Sequence, residues 1–281
     1  MSKKKLNRIV ILGSNGFIAN SLKNNLKKTE HKFLAISKNE INLELDNSDE
    51  LLRKKIKKKD IIIFIAAIAP VKTLNMLIQN LKICSNVISA IKKKDISSII
   101  YISSDAVYSD SMKKIKETSP TLPNSLHGLM HLSREIILKE QFGNILSIVR
   151  PTLIFGVNDP HNGYGPNSFY RLAKMNKDIK IFGKGEELRD HISINDISDC
   201  IIKILKLNKK VELNLVTGKV LSFDDIAKKI IKFTKSKSKI VYIKRPGPMP
   251  HNGYRAFNNS SLKKINKTSF ESIETLLRYS I

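Results

Sequence analysis

The chain has 281 residues, is 41% hydrophobic and carries a formal net charge of +25, with its lysines in runs at 54–59, 92–94, 113–116 and 235–239. Such a chain can bury one large core or a core with an appendage, which excludes a disordered protein. Cys84 and Cys200 stand alone without a CxxC or a histidine at ligand spacing, and the longest apolar run, 61–71, is too short to cross a bilayer. A cytoplasmic protein with no metal and no membrane partner is expected. The basic runs lack interleaved aromatics and any nucleic-acid signature, so they read as a solvated surface that attracts small anions, and an RNA-associated role ranks last.

The first element is the most informative. The apolar run Ile9-Val-Ile-Leu12 empties into Gly13-Ser-Asn-Gly16 and then into helix-forming sequence. A strand that turns sharply into a helix can present free N–H groups to a pyrophosphate, provided that the turning residues have no Cβ. Gly13 and Gly16 meet that need, and Ala19 takes the third small position, giving G-x-x-G-x-x-A with Asn15, Phe17 and Ile18 as further cofactor contacts. The alternative is a glycine-punctuated crossover turn that holds nothing.

Further strand-like runs follow at 33–36, 61–67, 99–103, 146–150 and 213–216, with helix-like segments between them. That alternation predicts an α/β fold, a doubly wound parallel sheet of Rossmann-like type with a smaller C-terminal substrate lobe. Residues 1–160 form the predicted dinucleotide-binding domain, to which the chain returns at about 190–216. Residues 161–189 and 217–281 form the lobe. Ligands are then expected at the strand C-termini, where the sequence places Gly13, Ser37, Ala66 and Ser103 to Asp105. At the end of the second strand an acidic residue would select NAD by accepting from the ribose 2′-hydroxyl. Ser37 and Lys38 stand there instead and suit a phosphate, so the reading is NADP or NAD, leaning to NADP.

The order of motifs along the chain carries a resemblance. Beyond the glycine loop it comprises Ile65-Ala66-Ala67, Asn80, Ser103-Ser-Asp-Ala-Val-Tyr108, Arg150-Pro151, the stretch from Gly183 to His191, Asp196, and Asn214 to Gly218. On these the chain resembles the extended short-chain dehydrogenase/reductase family, in its nucleotide-sugar epimerases, reductases and dehydratases. The resemblance implies cofactor contacts at Ala66, Ala67 and Asn80, and a substrate-orienting hydroxyl at Ser104. It also implies a Tyr-x-x-x-Lys pair, but the matching segment reads His127-Gly-Leu-Met-His131. His127 then stands for the proton-exchanging tyrosine and His131 for the lysine on the cofactor ribose; Tyr108 and Tyr164 are alternative acids. Dehydratases of the family place an acid after Asp105, where this chain has Ala106, so dehydration is not expected. Arg189 and Arg255 match arginines that clamp a nucleotide diphosphate, and Asp105 and Asn167 complete the implied substrate contacts. The implied function is an NAD(P)-dependent 4-keto reductase or C4 epimerase of a nucleotide-linked sugar, possible as a homodimer. A dinucleotide or nucleotide-sugar binding protein that has lost catalysis is the alternative.

Overall fold

The computed structural model describes residues 7–156, 159–160, 162–207, 209–266 and 270–273. In chain order the elements are β1 (Ile9–Leu12), α1 (Phe17–Lys27), β2 (Phe33–Ile36), α2 (Ser48–Lys55), β3 (Ile61–Phe64), α3 (Leu74–Lys92), β4 (Ser98–Ile102), α4 (Leu126–Phe142) and β5 (Leu146–Pro151). There follow β6 (Leu153–Phe155), α5 (Pro166–Lys174), β7 (Ile179–Phe182), β8 (Leu188–Ser193), α6 (Ile194–Leu207), β9 (Glu212–Leu215), β10 (Val220–Ser222), α7 (Phe223–Thr234), β11 (Ile240–Ile243), β12 (Tyr254–Arg255) and α8 (Ser260–Lys263). None of the described helices is long and apolar enough to cross a membrane.

One sheet has the order β2-β1-β3-β4-β5-β9, with β1, β2, β3, β4 and β5 paired in parallel. Every residue of β1 and β3 is buried, as a strand covered on both faces requires. Val10, Leu12, Ile62 and Phe64 share a cluster with Leu52 of α2 and with Ile83, Val87 and Ile91 of α3. Each such side chain contributes roughly 1.5–3 kcal/mol of burial. The strand order reverses at β1, so the crevice for a ligand opens where β1 and β3 end. The run predicted as a strand to residue 67 leaves the sheet after Phe64: the Ile65 N–H still bonds to Leu12 O, and Ala66 then turns against Gly13.

Two compact units divide the chain. The first is Met1–Ser109, Ser119–Pro151 and Ser198–Leu213, and the second is Asp110–Thr118, Thr152–Ile197 and Asn214–Ile281. The junctions fall at Pro151 and Ser198, where the sequence alone suggested about 160 and 190. Residues 110–118 join the second unit because Ile115 exchanges backbone bonds with Ala256 and Asn258. In that unit β8 lies between β10 and β12 and also pairs with β6, while β7 pairs with β11. Its core gathers Phe155, Phe169, Ile179, Ile181, Phe223 and Ile226. Asn158 and His161 of the predicted lobe entrance, and 267–269 and 274–281 of its tail, lie outside the described residues.

Candidate active site

In the first unit, Gly13 has φ +91, and a Cβ there would lie 2.6 Å from the Ala66 Cα. The fold itself requires this glycine. Gly16 differs: it caps α1 with an ordinary φ of −71, and a Cβ would meet nothing closer than Gly13 O at 3.6 Å. What its missing side chain leaves open is the space in front of the first turn of α1. No side chain caps that turn and no acid stands in it, so its N–H groups and the positive end of the helix dipole suit an anion. Asn15 and Gly16 are exposed, Phe17 and Ile18 are half-buried, and Ala19 is buried. A pyrophosphate fits such a loop.

The end of β2 is less simple than its sequence. The N–H and Oγ of Ser37 both donate to one carboxylate oxygen of Glu40, at 2.8 and 2.9 Å. Those bonds, the backbone one foremost, hold the Glu40 carboxyl below its usual range. Lys38 pairs with Glu44. Asn80 is fully buried, and its amide is used internally: it accepts from Ile68 N–H and donates to Ile68 O and Met76 O, holding the segment after Ala66 and Ala67.

The end of β4 carries the acid–base candidates. Ser104 Oγ accepts from Ala106 N–H at 3.2 Å, capping the short turn Asp105–Val107. The start of α4 packs on that turn so closely that a Cβ on Gly128 would lie 2.1 Å from Ala106 O. Gly128 is why His127 stands beside Asp105. Burial lowers the His127 pKa, and the Asp105 charge opposes that shift. Its Nδ1 lies 3.5 Å from Val71 N–H, at the outer limit of a hydrogen bond. One turn on, His131 is buried, its ring 4.8 Å from that of His127 and edge-on to it, and its Nδ1 is 2.8 Å from the hydroxyl of Tyr101. Behind them Glu135 accepts from Ser103 and from both Nε and Nη2 of Arg150. Tyr108, weighed above as an alternative acid, is buried with its hydroxyl on Arg150 Nη1 at 2.8 Å.

The second unit holds the implied substrate residues other than Asp105. Arg189 is 9% exposed; its Nη1 donates to Glu187 at 2.9 Å, while its Nε is buried without a hydrogen-bond partner. Arg255, 1% exposed, donates to Asp110 at 3.2 Å, and the same carboxylate meets His251. Asn167 uses both ends of its amide, accepting from Gly156 N–H and donating to Asp159. Tyr164, the other alternative acid, accepts from Phe182 N–H within an aromatic cluster with Phe169 and Phe223. Sequence reasoning passed over Tyr101, Glu40, Asp110 and His251. Glu40, three residues past Ser37, was discoverable as a local cap; Asp110 lies 145 residues from Arg255 and left no signal.

Residues 9–215 match the NAD dependent epimerase/dehydratase family. A putative UDP-glucose 4-epimerase of Methanocaldococcus jannaschii is 27% identical over 245 residues, covering 78% of this chain and 79% of the relative. Among solved structures, the UDP-glucose 4-epimerase of Thermotoga maritima superposes with a TM-score of 0.83 at 18% identity, covering 96% of each chain. A GDP-6-OMe-4-keto-L-xylo-heptose reductase of C. jejuni does so at 0.81 and 15%, covering 99% of this chain and 98% of that one. The glycine loop at the strand switch point and the match across three-quarters of the sequence agree, and the chain belongs to the NAD dependent epimerase/dehydratase family.

Proposed function

We propose that this protein is an NAD(P)-dependent enzyme that reduces a 4-keto group or inverts C4 of a nucleotide-linked sugar. The observation that carries the reading is the docking of Gly128 on Ala106, which brings His127 under the charge of Asp105, on the turn that Ser104 caps at the end of β4. Gly13, Gly16 and the first turn of α1 would hold the cofactor, with His131 on its ribose, and when bound it supplies a hydride acceptor or donor. Ser104, its Oγ already accepting from Ala106, has a hydroxyl hydrogen to give to the sugar oxygen. His127 rests neutral, suited to take the proton from a C4 hydroxyl; the imidazolium so formed returns it when the carbonyl is reduced again. Reduction of a keto sugar instead starts from the imidazolium. Its rate should therefore rise as pH falls toward the lowered His127 pKa. In the second unit Arg189 and Arg255 are proposed as the diphosphate clamp, the orphaned Nε of Arg189 being a donor that an anion would satisfy.

The test follows reduced-nicotinamide absorbance with nucleotide-linked 4-keto sugars, and C4 inversion by sugar NMR. Turnover that vanishes in His127→Ala while cofactor affinity stays is the expected result. Full activity in that variant removes the assignment to His127, and tight cofactor binding without turnover on any sugar leaves only a binding protein.

For the cofactor the reading is NADP. Ser37 N–H and Oγ already converge on one anionic oxygen, the arrangement that a 2′-phosphate oxygen needs. Glu40 is exposed and competes for those donors, so Glu40→Gln should tighten NADPH by about tenfold and leave NADH nearly unchanged. Tighter binding of NADH than of NADPH by the natural chain would overturn this preference. A homodimer is also proposed, through the outward apolar residues Ile78 of α3 and Leu129 and Ile136 of α4, which are 56%, 42% and 60% exposed.

A further inference from the structure

The histidine that stands for the lysine is not a lysine substitute in charge, and the residues behind it show what it offers instead. Tyr101 of β4 is 1% exposed, and its hydroxyl lies 2.8 Å from Nδ1 of His131, itself 6% exposed. One of the two must hold the hydrogen between them. Around them stand His127, Arg134 and Glu135 on α4 and Cys84 on α3. Arg134 is fully buried. Its guanidinium donates to Ala66 O, Asn80 O and Asn80 Oδ1, all of them neutral, and lies 5.1 Å over the Phe64 ring.

A fixed cation three residues along the helix opposes a second cation on His131, and burial opposes it further. Burial, then the neighbouring His127 and Arg134, push the imidazole well below its ordinary pKa, while burial pushes the Tyr101 hydroxyl up. Both groups are therefore neutral; the Arg134 guanidinium interacts with the Tyr101 oxygen, so the hydroxyl's own hydrogen goes to Nδ1, the acceptor 2.8 Å away, and the hydrogen of the neutral ring sits on Nε2.

We propose that Tyr101 is a positioning residue that locks His131 in the neutral Nε2–H form, making it an uncharged hydrogen-bond donor to the cofactor ribose in place of a charged ammonium. The inference rests on the functional reading above and deepens it. The positive charge of the site is carried instead by Arg134, anchored to Ala66 just past the end of β3. His127, held by the marginal bond from Val71 N–H, is left as the titrating group of the pair.

The experiment uses the whole chain labelled with nitrogen-15. Long-range proton–nitrogen correlation, with His131 assigned by loss of its signals in His131→Gln, should show the Nε2–H pattern unchanged from about pH 5.5 to 8.5. Tyr101→Phe keeps the ring beside Phe64 and should fold, yet it should mix the two tautomers of His131 and weaken cofactor binding by roughly tenfold. A wild-type ring that is charged or carries its hydrogen on Nδ1 overturns the inference, as does Tyr101→Phe with unchanged tautomer or unchanged cofactor affinity; the functional reading survives each of these. A wild-type chain that binds neither NADH nor NADPH overturns both.

Discussion

Gly13, Gly16 and Gly128 look alike in the sequence, and their surroundings separate them. Gly13 and Gly128 are demanded by the protein's own backbone, against Ala66 and Ala106, whereas Gly16 has room to spare. Matched alanine variants distinguish the two cases. Gly128→Ala should cost about 1–3 kcal/mol in urea unfolding, because α4 must lift off the turn, and it should lower kcat by about a hundredfold as His127 moves with the helix. Gly16→Ala should cost less than about 1 kcal/mol and instead weaken cofactor binding by tenfold or more. An intact cofactor affinity in that variant would show that the space in front of α1 is not where the pyrophosphate lies.

At the scale of elements, the end of β4 is fastened by one buried ion pair. Glu135 of α4 and Arg150 of β5 are 1% and 2% exposed, joined at 2.6 and 2.8 Å, with Ser103 on the carboxylate and Tyr108 on the guanidinium. Removing Glu135 leaves the buried Arg150 with only the exposed Glu212 at 3.4 Å, so Glu135→Ala should destabilise the chain by about 3 kcal/mol. A loss under about 1 kcal/mol would mean that water reaches Arg150. Arg150 stood out in the sequence by its Arg-Pro pair, but nothing there joined it to Glu135. The pairing depends on α4 and β5 meeting across the sheet face, which no local pattern encodes.

For the molecule as a whole, acid is the sensitive direction. His127, His131, His191 and His251 all have lowered pKa values, burial being the first cause of each, and His191 falls to about 3. The unfolded chain binds protons on these groups below about pH 6.5 while the folded chain refuses them, so stability is full above that pH and falls as pH drops toward the folded values. His191 alone should account for about 2 kcal/mol between pH 7 and pH 5. His191→Phe should remove that share of the pH dependence in urea titrations at the two pH values; an unchanged dependence would place the proton uptake elsewhere. By itself the sequence determined the α/β alternation and the glycine loop, because strand period, crossover length and backbone sterics are written in neighbouring residues, while the motif resemblance brought out Ser104, His127 and His131 as candidates. Only the tertiary structure decided that Glu135 meets Arg150, that Tyr101 holds His131 and that Asp110 holds Arg255. Burial and the charges brought together by folding set which protons and which donors those side chains keep, and neither is a property of the chain before it folds.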